Sequence, residues 1–293
     1  MTLAMPELEG VRHRMVQAAG LSFHMAEAGP EDGVPILLVH GWPQHWFTWR
    51  RVISPLAAQR RVICIDLRGF GWSDAPPGAY AKRTLAEDIV ALLDALGIDQ
   101  VDLIAHDWGA WASYIVCLDH PERVRNYVAL NMPSPWAKRS ARGVLGIWRL
   151  WYQVVLATPG LGAFVLTRTP IVERMLTTGA VHPEAWDDGE AKLFSAPLRE
   201  PARVRASQRL YRTFLTREMV PYALGRNTKK RLTVPTVMLH GTKDLAVDHR
   251  NLGDWERMGD SMALELRDDS GHFIAEELPD VVVSRARALF GRG

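Results

Sequence analysis

What this sequence has little of narrows its identity quickly. It contains no run of about 18 apolar residues free of Pro, Gly and charge, the length a spanning helix needs. Its start, MTLAMPELEGVRHRM, has no continuous apolar stretch of the signal-peptide kind, so a soluble protein is expected. The two cysteines, Cys64 and Cys117, lie in strongly apolar surroundings, which points to reduced, packed thiols and a cytoplasmic protein. Neither sign of charge is in excess: 35 Lys and Arg against 33 Asp and Glu leave a net charge of +2. No basic block is interleaved with aromatics, which argues against nucleic acid as a partner. The sequence also lacks GxxxxGK[ST], its PGLGAF lacks the third glycine of a dinucleotide fingerprint, and no internal repeat is visible. No cofactor and no metal is expected.

What is present is alternation. LSFHMAEAG, ILLVH, RVICID, VDLIAH, NYVALN, TVMLH and LELRDD read as strands, several apolar on both faces, with helical patterns between them. TLAEDIVALLDALG carries Thr84 three residues before Glu87, a capping-box spacing, and ends at Gly97, so a helix is expected there. This is the grammar of an α/β fold, a mostly parallel sheet with helices on both faces. The alternation breaks between about 134 and 229, where Pro, Trp, Arg and helix-like segments dominate. Residues 1–133 and 230–293 are read as the core and 134–229 as an inserted helical lid. A separate helical domain on a linker is the alternative, but no flexible composition flanks the segment.

The stretch LIAHDWGAWASY runs from an apolar strand through a charged residue and a glycine into a helix. It matches the sharp strand-to-helix elbow on which α/β-hydrolases mount a nucleophile, with Asp107 where serine is usual. Ala105 and Gly109 leave room for the turn, and a helix N-terminus favours an anion. Taken alone, Asp107 also fits an ordinary N-cap, the weaker of the two readings. Other segments add to the case. ILLVHGWPQ ends a strand at His40-Gly41, offering the backbone N–H of Trp42 beside the elbow, with the N–H of Trp108 as second donor of an oxyanion hole. Asp244 and His272 follow the last two expected strands, giving the order nucleophile, acid, histidine. Taken singly, Asp244 or the nearby Asp248 would be an ordinary turn residue; Asn131 could instead touch the histidine, but an amide cannot offset imidazolium charge as a carboxylate does, so Asp244 is the better acid. A carboxylate attacking an ester would give a labile anhydride, whereas attack on an sp³ carbon gives a stable ester, so esterase and peptidase chemistry are disfavoured. There is no GxSxG; GWSDA at 71–75 sits in the loop after RVICID, so Ser73 is not the nucleophile.

Through HGWPQHWFTWR, DLRGFGWSDAP, AHDWGAW and the terminal Gly271-His272, the chain resembles an α/β-hydrolase-fold epoxide hydrolase over nearly its whole length. The resemblance implies opening of a small apolar epoxide by water to a vicinal diol through an aspartyl ester, a cis Trp42-Pro43 peptide, and two lid tyrosines that donate to the epoxide oxygen. Tyr152 and Tyr211 sit in similar local contexts. Trp42 stands where the family more often has phenylalanine, a departure that would narrow the pocket. His40, Pro43, Trp46 and His106 are expected around the substrate, with Phe47, Trp49 and Trp108 as apolar wall. A haloalkane dehalogenase is similar in fold and triad, and Trp108 does not discriminate; Trp42-Pro43 after His-Gly, where one large dehalogenase group has Asn, favours the epoxide reading. A fluoroacetate dehalogenase would need arginines at the start of the DWGAWASY helix, where none occurs. A non-catalytic ligand-binding scaffold is the third reading, disfavoured because all three catalytic candidates are present. The sequence leaves room for a homodimer.

Overall fold

The computed structural model describes residues 4–133, 151–186, 189–224, 230–253, 255 and 258–291. Its strands are β1 (Arg12–Ala18), β2 (Leu21–Ala28), β3 (Ile36–Val39), β4 (Val62–Ile65), β5 (Val101–His106), β6 (Val124–Leu130), β7 (Thr236–Gly241) and β8 (Met262–Arg267). They form one 8-stranded sheet in the order β1-β2-β4-β3-β5-β6-β7-β8. The pairs β1/β2 and β2/β4 are antiparallel, and every other neighbouring pair is parallel. ILLV, VICI and VDLIAH are buried at every position, as strands covered on both faces must be. Cover comes from α1 (Arg50–Ala57), α2 (Lys82–Ala95), α3 (Asp107–Asp119), α10 (Ile274–Glu277) and α11 (Pro279–Phe290), with α2 packed on α3 and α1 on α11.

Two details depart from the sequence reading. RHRMVQA was not expected as a strand, yet it is β1: an edge strand, mostly exposed, whose charged side chains face solvent and whose only partner is β2. The helix expected from Thr84 begins earlier, at Lys82, and makes no capping box. Its first N–H instead donates to Glu218 Oε1 at 2.8 Å, so a carboxylate distant in sequence satisfies the end that Thr84 was expected to cap. Gly97, at φ +63°, closes the helix as expected.

Between β6 and β7 come α4 (Trp151–Ala157), α5 (Leu161–Arg168), α6 (Ile171–Gly179), α7 (Glu190–Ser195), α8 (Pro201–Thr213) and α9 (Met219–Ala223), with a π-helical turn, Phe214–Glu218, joining the last two. Among the described residues of this segment there is no strand. Both ends of the expected insertion, 134–150 and 225–229, lie outside the described residues. The segment is fastened to the core by charged and polar contacts: Arg50 Nε donates to Glu190 Oε1 at 2.9 Å, Lys82 Nζ to Glu218 Oε2 at 2.8 Å, and Trp42 Nε1 to Ser207 Oγ at 3.0 Å. Among the described residues no helix is long and apolar enough to cross a membrane.

Candidate active site

Asp107, Asp244, His272 and Trp42 all follow the carboxyl ends of parallel strands, where open α/β sheets form their clefts. Asp107 is the first residue of α3, immediately after β5, and has φ 51°, a left-handed conformation that a non-glycine residue holds only under constraint. The turn is as tight as the chain allows. A Cβ on Gly109 would come within 2.1 Å of the His40 carbonyl, and one on Gly41 within 2.5 Å of Asp107 Cβ. Gly109 was legible from its place beside the elbow. Gly41, which gives the carboxylate its room, was not read that way.

The Asp107 carboxylate is buried and held by backbone amides. The Trp42 N–H donates to Oδ2 at 3.1 Å, and the Trp108 N–H also donates to the carboxylate. Oδ1 lies 3.9 Å from His272 Nε2, beyond hydrogen-bonding distance. Asp107 is therefore tethered by amides of two different segments, which an ordinary N-cap is not; the N-cap position itself belongs to His106. Burial pushes the carboxyl pKa up, while His272 and the two amides pull it down by less.

His272 Nδ1 donates to Asp244 Oδ2 at 2.8 Å. Asp244 is heavily supported: Oδ1 accepts from the N–H groups of Ala246 at 2.7 Å and Val247 at 2.9 Å, and Oδ2 also from Asn131 Nδ2 at 2.8 Å. Burial opposes ionisation of Asp244, but His272, His240 and these donors outweigh it and hold the carboxyl well below the usual range. Burial likewise opposes protonation of His272, yet Asp244, Asp107 and Glu277 together raise its pKa to about 9. Asn131, at φ 44°, reaches Asp244 and the Gly271 carbonyl rather than the histidine ring, so it supports the acid instead of replacing it. Asp248 bonds to Arg250 and its backbone, away from His272.

Two phenols approach from the inserted helices. Tyr152, half-buried on α4, and Tyr211, buried on α8, have ring centroids 5.8 Å apart, and both feel the Asp107 charge. Tyr211 packs edge-on to Trp42 at 5.2 Å and Trp108 at 6.2 Å, and shares a hydrogen bond with the Trp108 side chain. Gln153 Nε2 donates to the Tyr152 hydroxyl at 3.2 Å. Burial raises both phenol pKa values, so each is a neutral donor at ordinary pH.

The remaining expected pocket residues have other partners. The Trp42-Pro43 peptide is cis. His40 is fully buried: its Nδ1 donates to the Gly41 carbonyl at 2.9 Å and its Nε2 accepts from Leu67 N–H at 3.0 Å, which fixes the loop carrying Trp42. His106 Nε2 donates to the His272 carbonyl at 2.8 Å, and burial followed by the His272 charge lowers its pKa to about 3, so it remains a neutral donor. The Trp46 ring packs against His13 and Phe47 while its backbone N–H donates to Asp66 Oδ1 at 2.7 Å, and Trp49 is fully buried in the core. These side chains shape the frame of the site rather than reach its carboxylate. Sequence reasoning also passed over Lys82. It is buried with Nζ 4.0 Å above the Trp108 ring, and burial depresses its pKa against the pull of Glu218. Among the described residues no group of His, Cys, Asp and Glu is arranged to hold a metal ion.

The indole of Trp42 has a consequence for stability. Phenylalanine cannot donate to Ser207, a fully buried residue of α8. Trp42→Phe should therefore lower the unfolding free energy by roughly 1–3 kcal/mol in a denaturant titration while the backbone N–H stays on Asp107. A loss of kcat by about 10²–10³, the cost of an oxyanion donor, with unchanged stability would show instead that the indole acts on the reacting atoms.

An amide-tethered carboxylate on a strand-to-helix elbow, facing a histidine–carboxylate pair at the carboxyl edge of a parallel sheet, defines a hydrolase of the α/β class. The family profile for the alpha/beta hydrolase fold matches residues 34–279, and the chain belongs to that family. Its relatives there include epoxide hydrolases. A soluble epoxide hydrolase of Corynebacterium sp. (strain C12) is 28% identical, the match covering 96% of this chain and 97% of that one. The solved structure of the epoxide hydrolase CorEH superposes with a TM-score of 0.81 at 26% identity, covering 96% of this chain and 99% of that one. The structure of Cfl2 from Burkholderia cenocepacia superposes with a TM-score of 0.84 at 27% identity, covering 97% of each chain.

Proposed function

We propose that this protein is an epoxide hydrolase that converts a small apolar epoxide and water to a vicinal diol through a covalent ester on Asp107. The observation that carries the reading is the division of labour on one carboxylate: Oδ2 is held by the Trp42 amide, and Oδ1 lies toward His272. Oδ1 attacks a ring carbon, the C–O bond breaks, and Tyr152 and Tyr211 donate to the oxygen as alkoxide charge develops. Esterification removes the Asp107 charge, one of the groups that keep His272 protonated. The opened alkoxide takes its proton from a tyrosine hydroxyl, which is reprotonated from solvent. The imidazolium releases its proton to solvent, and the neutral imidazole takes one from the water that attacks Cγ of the ester and returns it to the departing diol oxygen. The Trp42 and Trp108 amides hold the tetrahedral oxyanion, and its collapse releases the diol and restores the carboxylate. On this reading the helical segment 134–229 is a lid that brings the phenols over the carboxylate. Cys64 and Cys117, both free and buried, support a reducing compartment.

The dehalogenase alternative needs indole N–H groups for the departing halide. Both indoles beside Asp107 are already engaged, Trp42 with Ser207 and Trp108 with Tyr211, which favours an epoxide. Tyr→Phe keeps the ring and removes only the donor. Each single change, Tyr152→Phe or Tyr211→Phe, should slow single-turnover alkylation by an aryl epoxide roughly 10- to 1000-fold, and the double change should be close to inactive. A parallel assay on a bromoalkane decides between the readings: release of bromide without any diol from the epoxide would replace this assignment with the dehalogenase, whereas wild-type epoxide turnover by both single variants would remove the two tyrosines from the reaction.

A further inference from the structure

Glu277 ends α10, just beyond the loop that carries His272, and neither motif nor spacing singles it out. It is buried, and its oxygens gather donors from two parts of the molecule. From the catalytic loop, Gly271 N–H donates to Oε1 at 3.0 Å and Oε2 at 3.1 Å, and Ser270 Oγ to Oε1 at 3.3 Å. From the inserted segment, the N–H groups of Val181 and His182 donate to Oε2 at 2.6 Å and 3.3 Å. The same two stretches of backbone are joined twice more. His272 N–H donates to the Gly179 carbonyl at 2.9 Å, and His182 Nε2 to the Asp269 carbonyl at 2.9 Å. They lie so close that a Cβ on Gly271 would come within 2.2 Å of the Gly179 oxygen.

We propose that Glu277 is a positioning residue that locks residues 270–272 to residues 179–182, so that His272 holds its working place only while this part of the inserted segment is docked. The inference rests on the reading of His272 as the base of ester hydrolysis. It separates the two half-reactions, because alkylation uses Asp107 and the two tyrosines, none of which Glu277 touches. Its charge also reaches His272. The ionisable groups facing that imidazole are Asp244, Asp107 and Glu277 on the acidic side and His106 and His240 on the basic side. Removing one negative charge from this set must lower the pH at which the imidazole becomes neutral.

The test compares wild type with Glu277→Gln and Glu277→Asp by rapid quench on an aryl epoxide, with intact-protein mass spectrometry following the adduct and melting curves confirming the fold. Glu277→Gln should form the adduct as wild type does and hydrolyse it roughly 10- to 100-fold more slowly, the scale of a catalytic group displaced by a fraction of an ångström to an ångström. The acid limb of hydrolysis should move to lower pH. Glu277→Asp, which keeps the charge but is one carbon short of spanning both stretches, should keep the limb and still lose rate. Wild-type hydrolysis by Glu277→Gln overturns the proposal, as does equal slowing of both half-reactions or failure of both variants to fold, since each would make Glu277 a residue of the fold alone. A wild type that forms neither adduct nor diol is a different result, one that removes the epoxide hydrolase reading itself.

Discussion

Asp107→Asn should fold and bind substrate yet turn over at least about 10⁴-fold more slowly, because a neutral amide has no carboxylate lone pair to offer carbon. Asparagine is the informative replacement. It is nearly isosteric, and together with aspartate it is among the non-glycine residues most at ease at the φ of 51° that residue 107 adopts. The amide oxygen can still accept from Trp42, so a lost rate reports the nucleophile and not a collapsed elbow. The wild type supplies the complementary measurement. In a single turnover in ¹⁸O-water, attack by Oδ1 puts an enzyme oxygen into the first diol and solvent oxygen into the carboxylate. Label in the first diol would mean that water opens the epoxide directly and that Asp107 is no nucleophile.

The parts of this design that the sequence displays are those in which one short stretch carries the whole physical requirement. A strand buried on both faces must be apolar at every position, so ILLV, VICI and VDLIAH declare themselves. A tight elbow needs a small residue beside its apex, and groups at the ends of neighbouring parallel strands are brought together, so Asp107, Asp244 and His272 could be singled out as one candidate cluster from local pattern and chain order. Contacts between distant residues leave no such trace. Glu218 capping α2, Ser207 receiving the Trp42 indole, and Glu277 joining two loops each follow from packing that brings remote residues together. Adjacency in sequence does not by itself fix what a side chain touches. His106 and Trp46 adjoin functional stretches, yet one hydrogen-bonds a backbone carbonyl and the other fills the core. The edge strand β1 was hidden by its own exposure: its charged sequence pairs in the sheet with β2 and leaves most of its side chains in solvent, with no continuous apolar face to advertise.

His272→Gln should stop the reaction halfway. Glutamine occupies much of the imidazole volume but cannot take a proton from water, so the ester should persist, with hydrolysis down roughly 10²–10⁴-fold, the usual worth of a general base. Mass spectra of the protein mixed with an aryl epoxide should then show a stoichiometric adduct, located on Asp107 by peptide mapping. Alkylation should survive with an altered pH profile whose sign follows from the charges. Burial already raises the Asp107 pKa, and His272 is the strongest influence opposing that rise. Without the imidazolium the carboxyl holds its proton to higher pH, and the acid limb of adduct formation must move upward. In the wild type the two groups sustain each other, with His272 pushed to about 9 partly by Asp107. On the proposed mechanism, esterification removes that charge and so lowers the pH at which the imidazole can act as a base. A folded His272→Gln protein that forms no adduct at any pH would break this sequence of events at its first step, because the histidine would then be required for ring opening and not for hydrolysis of the ester.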